Sequence, residues 1–179
     1  MKTVLNCLVG CALIWVCGCA TAPERDEGKA VLNAEVKEAI AAFKAKDPDI
    51  ERFFRDSEGY AVLPKVGKGA FIVGGAWGQG EVYRKGELIG YTSLSQATIG
   101  ASLGGESFRE IIFFRTHADL QVFMTGEFAF SAQATAVALD AGAAAKADYR
   151  DGMAIFVIAD KGLMIDASIG GQKFKFLPK

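Results

Sequence analysis

Beyond position 19 this chain of 179 residues has no cysteine: Cys7, Cys11, Cys17 and Cys19 are all four of them. The rest of the chain therefore has no disulfide framework, no thiolate-bound zinc and no catalytic thiol. Histidine is nearly as scarce. His117 is the only one, which excludes a multi-histidine metal site. Its setting, Thr116-His117-Ala118-Asp119, where a helix is expected to begin, fits a surface or capping role better than a base aligned on a nucleophile. An excess of charge of one sign is absent too. The formal net charge is −1 and the isoelectric point is near 5.9, so nothing pulls the whole molecule toward nucleic acid.

Phosphate-binding motifs are missing where they are first suspected. Residues 65–80, KVGKGAFIVGGAWGQG, carry the glycines and lysines of a phosphate loop. A Walker loop, however, needs a glycine five positions before Gly-Lys and a Ser or Thr after it, whereas Gly67-Lys68 is followed by Gly69. The dinucleotide fingerprint also fails, because Gly78-x-Gly80 is followed three residues on by Tyr83 and runs into more strand instead of a helix. Asp166-Ala167-Ser168-Ile169-Gly170 lacks the first glycine of a nucleophile elbow and lies in an expected strand. Glu106 and Glu110 are a carboxylate pair without a defined separation, and read as solvated charges. A hydrolase is the weakest of the classes considered, and no cofactor is implied.

Long apolar runs are lacking as well. The apolar stretch at about 4–16, after Lys2, is about a dozen residues where a bilayer span needs about 20, so it reads as a secretory signal. Its end, Val16-Cys17-Gly18-Cys19, resembles the lipobox of bacterial lipoproteins and makes Cys19 the expected acylated N-terminus. Leu8-Val9-Gly10-Cys11 has the same pattern but would leave too short an apolar segment. Each buried CH₂ of an acyl chain adds about 0.8 kcal/mol, so a multiply acylated cysteine anchors stably. Ala20, in place of Asp, implies release to the outer membrane, facing the periplasm. The chain thus divides into a leader (1–18), an acylated cysteine with a short tether (19–28) and one domain (29–179).

In that domain Leu32, Val36, Ala39, Ile40 and Phe43 form one stripe of an amphipathic helix. Asp47-Pro48 ends it and opens a short helix over 49–57, with Ile50, Phe53 and Phe54 on one face. From residue 60 the pattern becomes short β-rich runs between glycines and turns. Strands are expected at 60–63, 70–77, 81–83, 88–98, 101–104, 110–115, 127–137, 154–158 and 163–176, and one further short helix at 118–125. The fold class is α+β, a highly curved antiparallel sheet, barrel-like at the limit, with helices packed on it. Glycine inside strands suits such curvature.

What is present in place of catalytic chemistry is a set of basic residues. Lys37 and Lys44 border the apolar stripe, Arg52 and Arg55 belong to the second helix, and Lys65 and Lys68 punctuate the glycine run. Together they are the candidates for an anionic headgroup site, with Val36, Ile40 and Phe43 entering the membrane interface.

Several motifs follow one another in order: Gly59-Tyr60-Ala61-Val62-Leu63-Pro64-Lys65-Val66-Gly67-Lys68-Gly69-Ala70-Phe71, Gly74-Gly75-Ala76-Trp77-Gly78-Gln79-Gly80, Ser95-Gln96-Ala97-Thr98-Ile99-Gly100, Leu103-Gly104-Gly105-Glu106-Ser107-Phe108, Lys161-Gly162-Leu163 and Ser168-Ile169-Gly170-Gly171. This order resembles the SYLF domain family, a lipid-binding module found in eukaryotic actin-patch proteins and bacterial lipoproteins. The likeness spans residues 29–176. It implies binding of phospholipid, phosphoinositides in eukaryotic relatives, and carries that role to Lys65 and Lys68 and, less directly, to Lys37 and Lys44. Asp166 departs from the small residue usual there. The expectation is an envelope lipoprotein that binds membrane phospholipid without catalysis. The alternative is a structural or scaffolding envelope protein that recognises no headgroup.

Overall fold

The computed structural model describes residues 26–70, 73–99, 104–125, 127–131, 134–161 and 171–179. Helix α1 (Asp26–Lys46) buries Leu32, Val36, Ala39 and Phe43, the stripe expected from the 3.6-residue period. Pro48 cannot continue it. Asp47 instead caps a 3-10 turn (Pro48–Ile50) by accepting a hydrogen bond from the Asp49 N–H, and α2 (Glu51–Asp56) follows. No helix among the described residues is long and apolar enough to cross a membrane.

The strands are β1 (Gly59–Ala70), β2 (Val73–Arg84), β3 (Glu87–Ile99), β4 (Gly104–Phe114), β5 (Glu127–Ala129), β6 (Val137–Ala138), β7 (Met153–Lys161) and β8 (Lys173–Pro178), with helices α3 (His117–Met124) and α4 (Ala143–Lys146). They form one eight-stranded sheet in the order β5-β8-β3-β2-β1-β4-β7-β6. Every pairing is antiparallel except β6 with β7, which is parallel. The sheet is curled into a half-barrel, so the expected α+β class with a curved sheet holds, as a mixed sheet.

Several boundaries differ from expectation. Residues 73–77 of one expected run and 81–83 of the next are parts of one strand, β2, because Gly78 and Gly80 stay in the ladder with β3, whereas Ala70 ends β1. The run at 127–137 gives two separate short strands, β5 and β6, and α4 has too little apolar periodicity to be seen in advance. The 101–104 run lies outside the described residues except for Gly104, where β4 begins. Residues 163–170 of the last expected strand, with Asp166 and Ser168, lie outside them too, as do Cys19 and the leader.

Both faces of the central strands carry buried residues, and strand alternation divides these side chains between two layers. Ile111 and Phe113 of β4 and Ala154 and Phe156 of β7 join α1, α2 and α4 on one face. Ile112, Phe114, Ile155 and Val157 point to the other, where they meet Leu120 and Phe123 of α3 with Phe130 and Phe174. β1 is bulged between Val62 and Lys65 relative to β2, and between Leu63 and Val66 relative to β4. Pro64, which has no N–H for the ladder, falls in that break. Opposite it a Cβ on Gly80 would stand 2.3 Å from the Val62 carbonyl oxygen, so glycine is what lets the two backbones approach there.

Phe53 centres the helical layer, with ring centroids 5.5 Å from Phe113, 5.4 Å from Tyr149 and 4.9 Å from Phe156. Phe53→Ala is expected to cost about 3–5 kcal/mol of unfolding free energy, measured as a lowered urea midpoint at an unchanged slope.

Candidate functional site

Beyond the bulge, β1 and β2 continue as a glycine-rich ladder, with Lys65 opposite Gln79, Gly67 opposite Trp77 and Gly69 opposite Gly75. The 65–80 run is therefore strand on both sides of residues 71–72, not the strand-to-helix loop of the nucleotide-binding motifs. Paired residues share a face, so Trp77, Lys65 and Gln79 lie on the face that α1 covers further along the sheet. Trp77 is 55% exposed. A Cβ at Gly67 would stand 3.3 Å from its Cε2 and Cζ2 atoms, so the indole lies flat over a glycine. Its other cross-strand partner, Ser95, is small and exposed. Lys65 is exposed and has no ion pair or hydrogen bond among the described residues.

Sequence reasoning placed Trp77 in a motif but not in the site. The signal was available, since a tryptophan in a strand opposite glycine has no bulky cross-strand neighbour to bury it. Lys68 lies on β1 with its backbone opposite Ala76 and Glu106.

The other basic candidates are not gathered beside Lys65. Lys37 is exposed on α1. The Lys44 ammonium is 2.8 Å from Glu51 and 4.6 Å from the centre of the Phe54 ring, which places it at the corner of α1 and α2. Arg55 on α2 is paired with Asp56 through bonds of 2.7 and 3.0 Å. The ring of Phe54 touches Tyr60, and Lys65 is five residues further along β1, about 15 Å at the usual strand rise.

Arg52 requires a correction. Its guanidinium points into the fold, donating to the carbonyl oxygens of Ala144, at 3.0 Å, and Ala147, and it lies 4.3 Å from the centre of the Phe53 ring. It holds the carbonyl end of α4, because long cationic side chains neutralise unpaired helix C-terminal carbonyls. At the opposite end the Asp47 carboxylate accepts from the Ala144 N–H at 2.7 Å. Asp47 is 1% exposed. Burial works to raise its pKa, but hydrogen bonds from the N–H groups of Ala144, Asp49, Gly142 and Ala143 hold the carboxyl below its ordinary value.

The expected membrane-inserting residues are corrected as well. Val36 and Phe43 are fully buried against the sheet and Ile40 packs on the same core. The apolar surface of Val36 and Phe43 is already spent on holding α1 down, so the folded domain cannot offer it to a bilayer, and Ile40 keeps only part of its own exposed. Glu110, expected to be solvated, is fully buried instead. Ladders with β1 and β7 on either side of β4 enclose it.

His117 is exposed at the start of α3, with Nδ1 3.7 Å from a Glu58 oxygen and Nε2 3.3 Å from Gln121. The helix cap is supplied by its neighbours: the Thr116 hydroxyl and the Asp119 carboxylate form a reciprocal capping box.

No known protein-family model matches the chain. Over 149 residues it is 29% identical to Beta cell expansion factor A of Aeromonas veronii, an alignment that covers 83% of this chain and 57% of that protein. The chain thus spans little more than half the length of that relative.

The Asp47 contacts lead to a pH dependence. The folded carboxyl has a pKa below the ordinary 3.8, so its contribution is fully present above that value and is lost as pH falls through the folded value. Asp47→Ala is expected to cost about 1–2 kcal/mol at neutral pH, the usual loss for a deleted cap. Urea midpoints of the wild type and the variant should then converge as the pH is lowered below about 4.

Proposed function

We propose that this protein binds anionic phospholipid through the outer face of the β1–β2 hairpin, as an envelope lipoprotein anchored at Cys19 in the outer membrane and facing the periplasm, and that it performs no chemistry. The observation that carries the reading is that one face of the β1–β2 ladder presents a half-exposed tryptophan, Trp77, and a lysine with no side-chain partner among the described residues, Lys65. An indole has an apolar body and an N–H, which suits it to the headgroup boundary of a bilayer. One lysine near an anionic surface contributes about 1 kcal/mol. The SYLF-like order of motifs, which includes both residues, supports lipid as the ligand class.

Burial of Val36 and Phe43 favours α1 as a packing element, as the scaffolding alternative holds, and moves membrane contact from the helix to the sheet. The two readings divide on headgroup charge. A scaffold would treat neutral and anionic vesicles alike.

Of the two tryptophans, Trp15 belongs to the leader, so a form beginning at residue 20 reports on Trp77 alone. With vesicles containing anionic phospholipid, its emission is expected to shift to the blue at low salt and return at high salt. Neutral vesicles should leave it unchanged. Lys65→Gln should weaken binding about fivefold and Trp77→Ala should weaken flotation further. Equal flotation with both vesicle types, or binding with no change in emission, rules out this surface.

A further inference from the structure

Glu110 and Gln172 meet across the inside of the curled sheet. In the sheet order β4 and β8 are separated by β3, β2 and β1, yet the Gln172 amide, one residue before β8, donates to Glu110 Oε2 at 3.1 Å. Both residues are at least 99% buried. Each also has an oxygen, Glu110 Oε1 and Gln172 Oε1, that is buried and without a hydrogen-bond partner among the described residues. Two neighbouring acceptors cannot satisfy one another, and a buried unpaired acceptor costs about 1–3 kcal/mol.

One proton on Glu110 resolves both. A carboxylic acid and a primary amide form a closed pair in which the amide N–H binds the acid carbonyl and the acid O–H binds the amide carbonyl. The first of these bonds is present, and the two orphaned oxygens are the donor and acceptor of the second. We infer that Glu110 is a neutral acid in the folded protein, paired with Gln172 as a latch that closes the half-barrel across its interior, and that removing this proton opens the latch.

The surroundings agree. Leu63 and Val157 flank Glu110 in register. Of the titratable residues on neighbouring elements, Glu106 on β4 and Lys68 on β1 are opposite one another in the backbone register, four residues along β4 from Glu110. Lys161 ends β7 opposite Ser107, Lys173 and Lys175 take the exposed alternate positions of β8, and Asp119 of α3 is engaged in its capping box. Burial pushes the Glu110 carboxyl up to about 8, with the Gln172 bond acting in the opposite direction.

Between its ordinary value of 4.5 and about 8, the folded chain thus holds a proton that the unfolded chain has released. Stability attributable to this group falls as pH rises through that window and levels off above it. Glu110→Gln supplies an N–H where the acid supplies an O–H, so it keeps the closed pair and cannot ionise. Urea unfolding of the full chain and of this variant should give an unfolding constant for the wild type that rises, relative to the variant, about tenfold per pH unit in the middle of the window. Parallel profiles would overturn the latch. Infrared titration of the wild type decides the matter even if the variant does not fold. A protonated-carboxyl carbonyl band should persist at pH 7 and vanish above pH 9, and its absence at pH 7 removes the proposal.

Discussion

Burial of the central strands on both faces is the constraint from which the other features follow. Ala61, Val62 and Leu63 of β1, and Ile111 to Phe114 of β4, are consecutive residues with no exposure at all. Successive strand residues point to opposite sides, so two separate layers have to cover them. One is α1 with the α2–α4 corner, and the other is α3 with the chain around Phe130 and Phe174. The apolar stripe of α1 is committed to this task, which is why it has no surface left for a membrane.

The same constraint explains where polarity is tolerated. Glu81, fully buried beneath α1, accepts from the Asn33 amide and the Tyr83 hydroxyl, so a carboxylate is provided with donors from both the helix and the sheet. Asp47 is likewise provided with backbone N–H groups. Glu110 receives one donor for two oxygens. A buried carboxylate that lacks partners favours its neutral form, and this separates Glu110 from Asp47.

Past the bulge in β1 the ladder changes from bulky residues to glycine, serine and alanine. On the Trp77 face such strands pair without filling a core, while Val66, Ala76 and Leu94 are buried on the other face. They form a platform on which a single large side chain, Trp77, stays half in solvent. The glycine run that resembles a phosphate loop by composition thus acts through its flatness, by leaving an indole and a lysine exposed side by side.

Much of the fold was legible from local pattern. The α1 stripe, the Asp47-Pro48 break, the Thr116–Asp119 helix start and most strands follow from periodicity and capping chemistry, which act over a few residues. Sequence alone also excluded thiol chemistry in the body and a Walker loop, because these depend on inventory and spacing. Only the tertiary structure decided what each polar residue does. Lys65 and Arg52 are both basic residues in amphipathic settings, but one lies on an open ladder and the other caps α4 from within. Glu106 and Glu110 are four apart on one strand, and the burial of Glu110 depends on β8 returning across three intervening strands. Solvation and partner choice are set by contacts remote in sequence, so no local pattern carries them.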